Sequence, residues 1–535
     1  MVIYYDELTP GDAFAADNKR KFWTIYVAFR EFGPAMLAQE EVWLPMGILR
    51  TSLATKTIVG GMANATRLLL GSICGRAIMV KGVNEGELIS VGSIINLADL
   101  DAHRCVSGWK GTSGLRPCTK CRNCMCKGHK SCTATSWQID ITCKDFAKFD
   151  LATDEDIYET LDMLQLAYDN GQEVDVLEKA HGLNRDPYSM YMDMALRPYL
   201  KPVSGIKYDP MHTMYQNGVF SYGISLFLHA LRKVGKRRFS DIDAYFAADW
   251  KCPEYCKRSF DVGRKMWTTK REDAMNRKKD KLIKANASEQ LAIYPILRRV
   301  AADIAEVNEA MVPHCECFAS LCDLADALQD AKFQRFKDRK QMHDKLMFLA
   351  VRYLTLSSRL YGESHTKPKA HILFHIINDF LEDGYMFDCW VLERMNLLPK
   401  KHAVHICMTR KFERSVLLRT VRTRSEQLRN MEFTNQLVNG MPSKSMSAQL
   451  GVDVELGTGL RMLSGLKLAR NDVIFVGEDR DVCCIVKACF KGNRAISNGA
   501  YAVGILTEQL AFQEQVGDDC SKWRRLFKGD DLMAT

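Results

Sequence analysis

Apolar and polar residues are patterned along the first fifty positions in three short runs. Val2 to Glu7, Phe22 to Phe32 and Glu41 to Leu49 are each rich in β-branched or aromatic residues, which predicts strands. Pro10-Gly11-Asp12 and Gly33-Pro34 punctuate them, so the simplest connection is an antiparallel meander. After Gly60-Gly61 the period changes: Met62, Thr66, Leu69, Leu70 and Ile73 fall at helical spacing within Met62 to Arg76. Leu88 to Leu97 then predicts a fourth strand running into Ala98-Asp99. Three strands, a helix and a further strand closed by an acid predict an α/β sheet.

From about Asp154 to Arg424 the pattern is helical, with periodic apolar positions in Ile157 to Ala167, Gln290 to Val307, Cys315 to Leu328 and Lys345 to Leu360. Beyond Gly440 short β runs return, Asp472 to Val476 and Val482 to Phe490, bounded by Gly, Asn and Asp. The expected division is therefore a sheet core over 1–117, a Cys-rich element over 118–150, a helical insertion over 151–385, a return to the core over 386–440, and a small β-rich module over 450–535.

Composition narrows the class. A chain of 535 residues with 47% hydrophobic residues and 14 prolines is long enough for two to four packed units and is not a disordered or fibrous one. The net charge of +9 leans toward polyanionic partners. Charge is concentrated: Lys251 to Lys284 holds twelve basic residues against five acids, and a second basic run comprises Arg394, Lys400, Lys401, Arg410, Lys411, Arg414, Arg419, Arg422, Arg424 and Arg429. Both are candidate phosphate tracks. The chain opens Met1-Val2-Ile3-Tyr4-Tyr5-Asp6 without a secretory start, so its 19 cysteines are expected to be reduced and intracellular. Its longest apolar candidate, Leu346 to Leu356, is broken by Arg352, so no membrane partner is expected.

Two sets of side chains could carry chemistry. Asp6 and Asp99 each lie at the end of a predicted strand, where neighbouring carboxylates can bridge two Mg²⁺ or Mn²⁺ ions about 3.5–4 Å apart. The ordinary role of an Asp at a strand end is turn chemistry, and Glu7 and Asp101 compete for the two positions. Cys118-Thr119-Lys120-Cys121 is followed by Cys124, Cys126, His129 and Cys132, a density of soft ligands that points to Zn²⁺. Two thiolates from one turn need two further ligands, supplied either by His129 and Cys132 or by the distant Asp209 and His212. His371 and His375 are four apart on a predicted helix, but Ile372 stands where a zinc protease needs its glutamate. They are read as ordinary core or surface residues.

Tyr4-Tyr5-Asp6-Glu7, Lys21 to Gly33, Gly60-Gly61-Met62, Ala98-Asp99-Leu100-Asp101-Ala102 and Trp109-Lys110-Gly111 leading into Cys118 and Cys121 resemble, in that order, the catalytic region of CACTA-type (En/Spm-like) cut-and-paste DNA transposases. Tyr208-Asp209-Pro210-Met211-His212 is similar to that family's Asp-x-x-His signature, and Val391-Leu392-Glu393-Arg394 to its Glu-Arg segment. The resemblance covers patches from residue 1 to about 430. It implies an RNase H-like mixed sheet with a large all-α insertion, in which Asp6, Asp99 and Glu393 hold two Mg²⁺ or Mn²⁺ ions for DNA cleavage and strand transfer. It further implies a zinc site of Cys118, Cys121, Asp209 and His212, with Cys124, Cys126, His129 and Cys132 as a second site or bystanders. DNA, met mainly through its phosphates, is the implied partner, the nucleus the implied location, and self-association is left open. Two departures stand out. The segment that binds transposon ends is missing before Asp6, which implies truncation, and the expected Glu-Arg-Lys-His run reads Glu393-Arg394-Met395-Asn396. The alternative is therefore a domesticated relative that binds DNA on a zinc-braced scaffold without cutting it.

Overall fold

The computed structural model describes residues 1–10, 20–81, 86–126, 137–247, 262–277 except 264, 282–406 and 409–429, then short segments between 436 and 510. It separates into two units, one of 1–243 with 266–429, the other of 244–265 with 430–535. The larger is an α/β unit built on a mixed five-stranded sheet. Its strands are β1 (Val2–Leu8), β2 (Phe22–Ala28), β3 (Leu44–Arg50), β4 (Ile95–Ala98) and β5 (Ile206–Tyr208). They lie in the order β3-β2-β1-β4-β5. β1, β2 and β3 form the antiparallel meander, while β1 with β4 and β4 with β5 are parallel.

Strand alternation divides the residues of β1 between two faces. Ile3 and Tyr5 join Trp23, Ile25 and Val27 in one core, covered by α1 (Gly61–Ile73), α2 (Leu100–Ser107) and α3 (Asp154–Asp169) through Met62, Leu70, Val106, Leu161 and Leu164. Leu8 and Phe22 belong to a second core on the opposite face with Ala403, Ile406, Phe412 and Val416. Asp6 has the parity of Leu8 and so faces that side. α3 begins at a capping box, Thr153 with Asp156. Gly60, at φ 75°, leaves no room for a side chain, because a Cβ there would lie 2.2 Å from the ring of Tyr188.

Two of the expected elements are redrawn. The single strand predicted over Leu88 to Leu97 is two: Gly86–Ser90 pairs in a hairpin with Ala77–Lys81, and β4 starts only at Ile95. Phe22 to Phe32 ends as a strand at Ala28, followed by a short 3₁₀ turn.

After β5 come α4 (Pro210–Met214), α5 (Val219–Lys233), α6 (Ala287–Val307), α7 (Val312–Lys332), α8 (Arg339–Tyr361) and α9 (Pro368–Asp383). The chain then returns to the sheet through α10 (Trp390–Met395), α11 (Leu397–Val404) and α12 (Phe412–Arg429). In the helical block Phe227 of α5 stacks on Phe318 of α7 with centroids 4.3 Å apart. Gly223 permits that approach, since a Cβ there would lie 2.3 Å from Leu321 and 2.5 Å from the Tyr353 hydroxyl. None of the described helices is long and apolar enough to cross a membrane. In the smaller unit Val473–Val476, Val482–Ile496 and Ala500–Leu510 pair antiparallel, and strand structure begins already at Gln436–Val438.

Candidate functional site

Strand register brings acids to one edge of the sheet. Tyr4 of β1 stands beside Leu97 of β4, and Ala98 beside Tyr208 of β5. Continuing that register by one or two residues aligns Asp6, Asp99 and Asp209 across the carboxyl ends of three adjacent parallel strands, whose spacing is about 4.8 Å. Asp6 and Asp99 therefore sit on neighbouring strands at one level. This is the edge at which open α/β sheets bind their ligands.

Glu393, on α10, faces His212 and lies within electrostatic reach of Asp6, but among the described residues the three acids do not form one of the sets whose ligand atoms lie within 4.8 Å of one another. Burial, then the negative charges of Glu393 and Asp99, push the Asp6 carboxyl up to about 7. Glu393 is raised chiefly by burial, with His212 and Lys400 opposing and Asp209 and Asp99 adding. The Asp6 carboxylate is held at both oxygens: Oδ1 accepts from the Glu7 backbone N–H at 2.7 Å and Oδ2 from the Asn396 side-chain amide at 2.8 Å. Asp99 caps α2, its Oδ1 accepting from the Ala102 N–H at 2.7 Å. The turn chemistry is thus present, alongside the electrostatic coupling to Asp6. The competing acids lie elsewhere. Glu7 accepts from the Thr51 hydroxyl and pairs with Lys21, and Asp101 is exposed beside Arg104.

Asp209 and His212 do not join Cys118 and Cys121. Asp209 caps α4 and is buried under four donors: the N–H groups of Met211, His212 and Cys389, and His212 Nδ1. Among the described residues, the metal-type cluster that contains this pair is Asp209, His212 and Cys389. Proline at the first turn of α4 and the i, i+3 spacing turn the imidazole back on its own cap. Its Nε2 faces Glu393 Oε1 at 3.6 Å. Burial works against a charged imidazole here, but the hydrogen bond and charge of Asp209, then Asp99 and Glu393, raise His212 to about 9. A cation thus lies among the acids, with Lys369 nearby, its Nζ bonded to the carbonyls of His212 and Gln216.

The partners of Cys118 and Cys121 are His371 and His375, the pair read from sequence as ordinary. All four ligand atoms lie within 4.8 Å of one another and all four residues are buried. Cys118 Sγ is 3.2 Å from His375 Nε2, Cys121 Sγ is 3.3 Å and 3.5 Å from the Nε2 atoms of His375 and His371, and the two Nε2 atoms are 3.1 Å apart. A tetrahedral Zn²⁺ with bonds of about 2.3 Å to sulfur and ~2.05 Å to nitrogen sets S···N edges of about 3.6 Å and N···N edges of about 3.3 Å. The observed edges fall within a few tenths of an ångström of these, so the four residues fit zinc. Burial raises the Cys118 thiol, but the hydrogen bond from Cys121 and the two imidazoles outweigh it and hold Cys118 well below the ordinary thiol range. Phe149 stacks on His371 at 4.5 Å and Phe146 lies edge-on to His375.

Of the other soft ligands, Cys126 donates to the Gly114 carbonyl and Cys124 is buried outside the cluster, while His129 and Cys132 lie outside the described residues. The signal for the true partners was a CxxC short of two ligands together with the chain's only two histidines four residues apart. Seven of the twelve basic residues of the stretch 251–284 also lie outside the described residues. In the second basic run, Arg410, Lys411, Arg414, Arg419, Arg422 and Arg429 are exposed, whereas Arg424 is buried on Glu40 and Gln427.

No protein-family model matches the chain, and no curated protein matches it.

Proposed function

We propose that this chain is a transposase-derived, divalent-metal-dependent DNA nuclease and strand transferase of the CACTA type, with an RNase H-like core, acting in the nucleus. The observation that carries the reading is the register that sets Asp6 and Asp99, 99 − 6 = 93 residues apart, at one level beside the carboxyl ends of adjacent parallel strands, with Glu393, 393 − 99 = 294 residues further on, in electrostatic reach of Asp6. Acids crowded this way repel one another and favour a bound cation. The strand order, with β2 alone opposed to the other four, and the return of the chain from a helical block to deliver Glu393, support the same reading.

Asp6, Asp99 and Glu393 would hold Mg²⁺ or Mn²⁺, which when bound supplies Lewis-acid activation of the attacking oxygen and stabilisation of the leaving oxygen of a phosphodiester. The chain's own contribution is orientation. Glu7 N–H and Asn396 fix the Asp6 carboxylate, the α2 cap fixes Asp99, and Asp209 fixes His212 opposite Glu393. The exposed arginines of α12 supply a sequence-tolerant phosphate surface.

The test is nicking of supercoiled DNA by the zinc-loaded full-length chain. Activity that requires Mg²⁺ or Mn²⁺ is expected, and Asp6→Asn, Asp99→Asn and Glu393→Gln should each lower it by more than the ~10–100-fold that loss of an outer-shell partner costs. Salt-sensitive DNA binding without any nicking would favour the domesticated, non-cutting relative instead.

A further inference from the structure

We infer that the open cavity between the turn before α5 and the start of α6 is a binding site for an unpaired nucleotide, taking the phosphate on Arg271 and Lys284 and the base against Tyr222. The inference rests on the DNA-binding half of the reading above and needs neither the acids nor a metal.

The cavity measures about 740 Å³, within the ~300–1,000 Å³ of small-ligand sites and far more than a bare phosphate fills. Its walls are fixed. The buried Gln290 donates through Nε2 to the Tyr215 carbonyl at 2.8 Å and to the Ala285 carbonyl at 3.1 Å, which holds the turn before α5 against the segment before α6. Ile283 N–H donates to Ser225 Oγ of α5 at 3.0 Å, and Arg271 Nη1, from the helix Thr269–Arg277, donates to the Lys284 carbonyl at 3.1 Å. A preformed site loses little conformational freedom on binding.

The lining divides into two chemistries. Arg271 and Lys284 belong to the basic stretch 251–284, and Lys284 is exposed and pairs with no carboxylate among the described residues. Lys367 stands over the Tyr222 ring, its Nζ 5.1 Å from the centroid. Against these three cations the described lining has one acid, Glu289, which accepts from the Asn286 N–H at 2.8 Å and lies 3.7 Å from Arg271. The 21-residue α6 adds the positive end of its dipole. That excess of positive charge selects an anion. Tyr222, Leu282 and Ile283 meanwhile give an apolar wall, and Gln216, Asn217 and Asn286 supply amide donors and acceptors. A flat ring with a polar edge, attached to a phosphate, uses all of these groups, whereas an acidic peptide uses only the cations. The place suits a strand that passes the acid edge: Lys369 Nζ bonds the carbonyl of Gln216, on the cavity rim, at 2.6 Å and that of His212 at 2.9 Å.

The experiment measures fluorescence anisotropy of a labelled single-stranded oligodeoxynucleotide, and of a blunt duplex of the same sequence, with zinc-loaded, full-length protein and no added Mg²⁺ or Mn²⁺. Tyr222→Leu should bind the single strand about 5–150-fold more weakly, the range for losing one stacked base, with Tyr222→Phe close to wild type. Lys284→Gln, which changes an exposed side chain, should lower the slope of log affinity against log salt by about 0.7, the share of one single-strand phosphate. Duplex affinity should stay at the wild-type value in both variants. Equal losses for strand and duplex, or wild-type strand binding by folded Tyr222→Leu and Lys284→Gln proteins, overturn the inference. Competition then identifies the source of the nucleotide: displacement by a deoxynucleoside monophosphate assigns the site to free nucleotides, and resistance to it assigns a nucleotide within a strand. Displacement by inorganic phosphate or by polyglutamate as readily as by unlabelled strand overturns it. Nicking is recorded in parallel. Strand binding through the cavity with no nicking by wild type leaves the inference standing and removes the nuclease reading, whereas nicking with unchanged strand binding in both variants removes the inference alone.

Discussion

Asp6 and His212 bring opposite charges into one small volume, and both bind protons more tightly in the fold than in an open chain. For Asp6 the unfolded carboxyl ionises near 3.8 and the folded one at about 7, so its stabilising contribution is complete below 3.8 and is lost as pH rises through 7. For His212 the proton leaves the unfolded chain near 6.5 and the folded site at about 9, so its contribution is present below 6.5 and lost as pH rises through 9. Both slopes have the same sign. Without divalent metal, the unfolding free energy of wild type measured against Asp6→Asn should fall by on the order of a few kcal/mol between pH 4 and 7. Added Mg²⁺ should flatten that difference, and denaturant melts across the pH range check both. The shared level of Asp6 and Asp99 could be read because each lies at or near the end of a strand inside a motif, whereas Glu393, on a helix, could be read only from the resemblance. The role of His371 and His375 could not, since a helix face shows a spacing but not the thiolates waiting 250 residues upstream. Asn396 was equally hidden: sequence shows an amide where an imidazole was expected, and only the fold shows that the amide donates to Asp6.

Among the elements, α9 does more than its periodicity announced. One turn beyond His375 it presents Asp379, whose two oxygens accept from Lys120 Nζ at 2.7 Å and 2.8 Å. Lys207 of β5 lies 3.4 Å from the same carboxylate and 2.6 Å from Asp383, and Arg30 closes on Asp383 at 3.0 Å. Lys120 is one of the two residues between the cysteines, so one buried ion network ties the Cys turn, the sheet and α9 together, and the hydroxyls of Thr119 and Tyr208 join the first two again. Removing the shared anion leaves the buried Lys120 ammonium without its carboxylate, while Lys207 keeps Asp383. Asp379→Ala should cost about 3–5 kcal/mol in urea unfolding, against less than ~0.5 kcal/mol for breaking the exposed Lys340–Asp344 pair on α8. The long helices could be read from their period, and the meander from its β-branched and aromatic runs and the turns between them, since its first two strands are buried on both faces. The hairpin of Ala77–Lys81 and Gly86–Ser90 could not, because its second strand is merged in the sequence with β4 across the short Val91-Gly92-Ser93-Ile94 break.

At the scale of the whole molecule, the Cys₂His₂ cluster joins the end of the core's first segment to the last helix before Glu393. Cys121→Ser or His375→Ala should each release the zinc, while Asp209→Asn and His212→Ala should retain it, as elemental analysis of purified protein will show. Because a structural zinc contributes folding free energy directly, stripping it should lower the melting midpoint by roughly 10 °C or more and take metal-dependent activity with it. The same separation has a consequence in time. Cys121 leaves the ribosome 371 − 121 = 250 residues before His371, an interval of roughly 12–50 s at about 5–20 residues per second. Throughout it the two thiols lack their imidazole partners, open to oxidants and to stray soft metals. Oxidation of this pair is therefore expected during synthesis rather than in the fold, where both thiols are buried, and chains made without zinc should reach full length with the segment that carries the last acid less firmly tied to the sheet that carries the first.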